Sequence, residues 1–202
     1  LNAILKSKKK KKKVFSFIDH WVNYKKRFLL KKKLILPDEI WVGDIYAKNK
    51  AMKIFRNVRL IPNPYFEESV RNFKLFSGKK KSRSILYVSS NSDRLNNKQL
   101  TDKKLFEKFL KSIRIKNNSK KIIIRCHPSE KKNKYNQFIK KNTNIEIDTN
   151  DDLIKTISKC SMVFGHNSMA LAVSNICGLA SFHINSQEKL TIPKNFIKKI
   201  IN

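Results

Sequence analysis

One pattern runs through almost the whole chain: a short apolar, β-branched run, then small polar residues, then a segment of helical period. Strands buried on both faces read as continuous apolar runs, and their alternation with helices dictates a parallel sheet covered on its faces. The clearest runs are 84–89, 121–126, 145–147, 162–165 and 180–184. Between them Leu105, Phe106, Phe109, Leu110 and Ile113 make one helical stripe, and Leu153, Ile154, Ile157 and Cys160 a second. Met169, Ala172, Val173 and Ile176 make a third, with Asn167 or Ser168 as its N-cap and Gly178 at C′. The predicted fold class is α/β, with a Rossmann-like parallel sheet.

The first part of the chain follows the same pattern with fewer units. Residues 14–18, 40–42 and 58–61 read as strands, and 21–30 and 45–55 as helices. Pro62-Asn63-Pro64 can continue neither element, and the stretch 67–81 is charged and weakly patterned. These features place the end of one α/β domain at 1–76, a linker at 77–83 and a second Rossmann-like domain at 84–202. Three strands are too few for a complete doubly wound domain, and the first residue is Leu, so a further N-terminal portion is expected.

Charge narrows the function classes less than it first promises. The chain carries 46 Lys and Arg against 15 Asp and Glu, a net charge of +31, which by itself points to a polyanion. The lysines are scattered over nearly every segment and accompany abundant Ile, Asn and Phe, a mixture that solvated helix faces and AT-rich coding also produce. With 40% hydrophobic and 10% aromatic residues the chain is globular. No apolar run reaches the roughly 18 residues of a membrane span, and no secretory leader is recognisable, so a cytoplasmic protein is expected. The three cysteines, Cys126, Cys160 and Cys177, have no CxxC spacing and suit a reducing compartment. Cys160 and Cys177 are expected on apolar helix faces.

Ligands of open parallel sheets bind beyond the carboxyl ends of the strands, so the residues after each strand are the candidate site. In the second domain these are Ser89-Ser90-Asn91, His127-Pro128-Ser129-Glu130, Asp148-Thr149, His166-Asn167-Ser168 and Asn185-Ser186; in the first they are Asp19-His20, Asp44 and Asn63. Gly165-His166-Asn167-Ser168 leads from a strand straight into a helix, whose N-terminal amides suit an anion; its polar side chains either bind a phosphate or cap the helix. His127 follows a strand directly and is held by Pro128, so its imidazole can donate to a phosphate or protonate a leaving one. Asp19 and His20 offer a general base, or Asp19 a helix cap. No GxGxxG, P-loop, GxSxG or HExxH sequence occurs, and His20, His127, His166 and His183 lack paired ligand spacing, so no metal site is expected.

Cys126-His127-Pro128 after a strand, with Gly165-His166-Asn167-Ser168 opening a helix about forty residues later, resembles the carboxyl-terminal lobe of bacterial GT-B glycosyltransferases of capsule and lipopolysaccharide synthesis. The His-Pro pair is similar to that of bacterial sialyltransferases and capsule Kdo transferases. Residues 17–25, 37–42 and 60–65 resemble the end of the acceptor lobe of the same group. Asn167-Ser168 stands where the sialyltransferases have two serines, and Ile40 follows Asp38-Glu39 where their acidic motif has glycine. The resemblance implies a CMP-, UDP- or CDP-linked sugar as substrate, no bound cofactor, and a donor phosphate held by His127 and the serine motif. It further implies a glycan or lipid-linked acceptor, with Asp19, His20 and His127 as catalytic candidates. The lysine run from Lys8 to Lys13 offers contact with an anionic membrane, or is a solvated loop. A UDP-sugar epimerase of the same fold, an inactive transferase fragment and a nucleic-acid-binding protein are the competing readings.

Overall fold

The computed structural model describes residues 1–78, 84–90, 101–114, 120–130, 132–186 and 189–201. The chain divides into two compact units, Leu1–Glu67 and Glu68–Asn202.

The first unit runs α1 (Asn2–Lys9), β1 (Phe15–Ile18), β2 (Leu29–Leu30), β3 (Lys33–Leu34), β4 (Glu39–Val42), α2 (Ile45–Met52) and β5 (Val58–Leu60). Its sheet has the order β1-β4-β5, all parallel, and β2 and β3 form a separate antiparallel hairpin. The lysine run is not all loop: Lys8 and Lys9 lie in the last turn of α1, where cations suit the negative helix end. The predicted helix over 21–30 is not there. Trp21, Tyr24 and Phe28 are buried at helical spacing, but Asn23 takes a φ of 61° and only a 3-10 turn, Lys26–Phe28, forms before the hairpin. Burial followed the pattern, and the backbone did not. Asp44 caps α2 by accepting from the Ala47 N–H at 2.7 Å, and it also accepts from the Trp21 indole at 2.6 Å.

The charged stretch after Pro62 forms α3 (Pro64–Phe76), a helix that the sequence reading missed. Pro64 stands where a missing N–H costs nothing, and Asn63 accepts from the Tyr65 N–H at 3.1 Å. The boundary along the chain between the two compact units falls within this helix, while residues 79–83 of the predicted linker lie outside the described residues.

The second unit continues β6 (Ser84–Val88), α4 (Asp102–Arg114), β7 (Ile122–Arg125), α5 (Asn136–Lys141), β8 (Ile145–Ile147), α6 (Leu153–Ile157), β9 (Cys160–Gly165), α7 (Met169–Ile176), β10 (Ala180–Ile184) and β11 (Lys199–Ile201). Its six strands are parallel in the order β11-β10-β9-β6-β7-β8. Renumbered within the unit this is 6-5-4-1-2-3, the Rossmann order, and its topological switch point lies between β6 and β9. Both faces are covered, as the apolar strands require. Ile85, Tyr87, Ile122, Ile124 and Phe164 pack with Leu105, Phe106 and Phe109 of α4 and with Tyr135 in one aromatic-rich core. Leu86 and Val163 are fully buried on the other face, where α6 and α7 pack on β9. Cys160, expected on a helix, opens β9, because α6 stops at Ile157 and the chain turns through Ser158. Cys177 caps the end of α7 and Gly178 follows at φ 88°, the left-handed C′ position that glycine favours.

Candidate functional site

The end of β6 and the end of β9 approach closely at the switch point, and Gly165 is the reason. It pairs with Val88, and a Cβ on Gly165 would stand 2.7 Å from the Val88 carbonyl oxygen and closer still to Val88 Cγ2. After β6 come Ser89, buried, and Ser90, half-buried, whose Oγ is enclosed without a hydrogen-bond partner among the described residues. Asn91 lies outside the described residues. The site is therefore framed by three strand ends, β9, β6 and β7, spanning two strand spacings or about 10 Å.

At the β7 end the turn 126–130 presents His127, Pro128 and Ser129 to solvent over a buried acidic floor. The Glu130 carboxylate is 1% exposed; it accepts from the His127 backbone N–H at 2.9 Å and from Ser89 Oγ, and it pairs with Lys134 at 2.8 Å. Ser89 Oγ also lies 2.9 Å from the His127 N–H. Lys134 bridges on to Asp102, whose side chain is likewise 1% exposed. Tyr135 stands beside this cluster, and burial, reinforced by the charges of Glu130 and Asp102, pushes its phenol far above its ordinary value. The i,i+4 spacing of Glu130 and Lys134 was visible in the sequence. The part of Asp102, 32 residues away from Lys134, was not.

The turn itself fixes the imidazole. The Ser129 backbone N–H donates to His127 Nδ1 at 3.2 Å, with Ser129 Oγ at 2.7 Å from the same nitrogen. A neutral ring held this way carries its proton on Nε2. His127 thus offers a preset donor to the solvent above the strand ends.

The β9 end is built in the opposite sense. His166 is 2% exposed, with Nδ1 3.1 Å from the Ile184 carbonyl oxygen and Nε2 3.0 Å from Ser186 Oγ. Asn167, at φ 42°, accepts from the Thr191 N–H at 2.9 Å and donates to the Lys189 carbonyl at 3.3 Å. The two side chains thus tie Ile184, Ser186, Lys189 and Thr191 to the end of β9. Of the two predicted caps, Ser168 is the one used: its Oγ accepts from the Ala170 N–H at a long 3.4 Å, and α7 starts at Met169 with its positive end at the strand ends.

Asp148 and Arg125 form a third cluster, on the far side of β7. Arg125 pairs with Asp148 and donates to the Asn150 and Asp151 carbonyls at 2.9 and 2.8 Å. Burial alone would raise the Asp148 carboxyl, but hydrogen bonds from Asn150, Thr156 and Arg125 outweigh it and hold the group below the usual range. A cavity of about 210 Å³ opens there beside His127 and Pro128, between Arg125 and Asp148.

In the first unit, Asp19 and His20 follow β1 and are exposed. Asp19 caps no helix among the described residues; it pairs with Arg27 at 3.1 Å. No group of three or more His, Cys, Asp or Glu that could hold a metal occurs among the described residues, and no helix there is long and apolar enough to cross a membrane.

No protein-family model and no curated protein sequence matches the chain. Solved structures do. The UDP-GlcNAc 2-epimerase of Methanocaldococcus jannaschii, in a complex with UDP-GlcNAc and UDP, aligns at a TM-score of 0.63 and 16% identity over 91% of this chain and 56% of its own. A second structure of that enzyme aligns at 0.56 and 17%, over 89% and 56%. The Thermosulfurimonas dismutans KpsC β-Kdo 2,4 transferase aligns at only 0.42 and 9%, over 69% and 50%, and adds nothing to the assignment. The chain thus spans just over half the length of the epimerase. At such identities the likeness is one of fold, and the fold is α/β of the GT-B type, with a six-stranded parallel sheet in the second unit.

Proposed function

We propose that the second unit binds the nucleotide and phosphate portion of an activated sugar across the ends of β9, β6 and β7. The observation that carries this reading is the His127 imidazole, set as an Nε2–H donor by Ser129 and exposed beside the topological switch point. Ser90 Oγ, enclosed and without a partner among the described residues, and the amide end of α7 at Ser168 supply further donors to phosphate oxygens. His166 and Asn167 act from behind, by holding Ser186 and Thr191.

The reaction we favour is transfer of a sugar, or a polyol phosphate, from a CMP-, UDP- or CDP-linked donor to a glycan or lipid-linked acceptor. As the bond to the phosphate breaks, the charge on the leaving oxygen is met by His127 and by the α7 N-terminus. Asp19, tied to Arg27, and His20, exposed, are the candidates for the base that activates the acceptor. Epimerisation of a UDP-sugar is the second reading, favoured by the fold shared with an enzyme that was solved with UDP-GlcNAc and UDP. Incubation with UDP-GlcNAc and no acceptor separates the two, since only an epimerase turns it over to an isomeric UDP-sugar.

Binding is tested by thermal shift with CMP, UDP and CDP. One of them is expected to stabilise the chain by about 2.7 kcal/mol at a hundredfold excess over its dissociation constant. No stabilisation by any of the three would refute the reading.

A further inference from the structure

We propose that the β2–β3 hairpin of the first unit docks onto an anionic lipid bilayer, a role that does not rest on the nucleotide reading. Between His20 and Pro37 the chain has no carboxylate and six cations, Lys25, Lys26, Arg27, Lys31, Lys32 and Lys33. All six are exposed, and among the described residues only Arg27 has an acidic partner, Asp19.

The backbone concentrates them. Leu29 pairs with Leu34 and Leu30 with Lys33, so Lys31 and Lys32 form a two-residue tip, at φ 43° and 66°. Two positive φ values are what a type I′ turn needs, and Asn-Gly is its favoured pair. Two lysines hold this conformation here at a steric and electrostatic disadvantage, so local stability does not explain their presence. The base is anchored: the Ile35 N–H donates to the Phe28 carbonyl at 2.8 Å, and the Phe28 ring is buried edge-on against Phe55 at 5.5 Å. The Leu29–Leu34 pair, next to the tip, is 42% and 39% exposed.

An aliphatic pair beneath a cationic tip fits the boundary between headgroups and acyl chains. Lysine stems run along apolar surface while their ammonium groups reach lipid phosphates, and the leucines bury below them. Nucleic acid would use the charge but not the leucines, which neither stack on bases nor hydrogen-bond to their edges. In α1 the buried apolar residue is Ile4, so the run from Lys8 to Lys13 offers charge without such a pair.

The test is co-sedimentation of the whole chain with vesicles of phosphatidylglycerol and phosphatidylcholine in equal parts, against phosphatidylcholine alone. Binding is expected only to the anionic vesicles and is expected to weaken with salt. The triple change Lys31→Gln, Lys32→Gln, Lys33→Gln should weaken it about a hundredfold, at about fivefold per cation. Leu29→Ser with Leu34→Ser should weaken it about tenfold at unchanged charge, since both leucines contribute buried apolar area. Circular dichroism and Tm, unchanged in both variants, show that the fold is intact. Lys8→Gln, Lys9→Gln, Lys10→Gln should have a much smaller effect. Absence of vesicle binding, equal loss in the α1 and hairpin triples, or duplex DNA binding indifferent to the leucine changes with none to vesicles would each overturn the proposal.

Discussion

The turns after β7 and β9 look alike in sequence, each a histidine and small polar residues following an apolar run, yet they use histidine in opposite ways. His127 is exposed, with one ring nitrogen held by its own turn. His166 is 2% exposed and spends both nitrogens on Ile184 and Ser186. The difference comes from what lies underneath. Below His127 the Glu130–Lys134–Asp102 network fills the interior with paired charge, so the ring has no place inward. Beside His166 a neighbouring strand end, β10, offers a carbonyl and a hydroxyl at hydrogen-bonding distance. A strand-end histidine is thus left exposed or made a structural post according to the partners its neighbours leave open.

Mutations should separate the two roles, beginning with the most damaging. His166→Ala removes two buried hydrogen bonds and leaves a cavity, and should cost about 4 kcal/mol in urea unfolding; a loss under about 1 kcal/mol would return His166 to the ligand side of the comparison. Gly165→Ala drives a methyl group against the Val88 carbonyl, which cannot rotate away, and should cost about 2 kcal/mol by forcing β9 from β6 at the switch point. The pH dependence should sharpen the contrast further. His183, next to His166 at 5.1 Å between ring centroids, has both ring nitrogens buried without partners among the described residues. Burial, then the nearby His166 and Lys108, lower its pKa to about 4 from 6.5. The unfolded chain therefore takes up the proton first. Stability is complete above pH 6.5 and falls as pH drops toward 4, by at most about 1.4 kcal/mol per pH unit. His183→Leu should flatten that slope in denaturation profiles, and a slope unchanged by the substitution would place the acid sensitivity elsewhere.

The second unit was the more legible part of the chain. Its central strands are buried on both faces and so announce themselves as Ile122-Ile123-Ile124 or Met162-Val163-Phe164 does. Strand β11 was missed because it is an edge, begins with Lys199, and has only β10 to pair with. Helix α3 was missed because Pro64 reads as a breaker until Asn63 is seen to cap it. The error over 21–30 has a different origin: side-chain periodicity reports which residues are buried, whereas a single left-handed residue, Asn23, decides that the backbone is not helical. Of the candidate site, the strand-end positions were readable, because a parallel sheet fixes which loops share an edge. The direction of the His166 ring depends on Ile184 and Ser186, about twenty residues further on, and the floor under His127 on Ser89 and Asp102, far away in the chain.

The most direct test is calorimetric titration of the stabilising nucleotide into the wild-type chain and His127→Ala. Removal of an exposed ring should change unfolding stability by no more than about 0.5 kcal/mol. Loss of its donor to a phosphate should weaken nucleotide binding tenfold or more, a charge-assisted hydrogen bond of about 1.5–3 kcal/mol. Equal affinity in the two proteins would contradict the placement of the phosphate at the β7 turn.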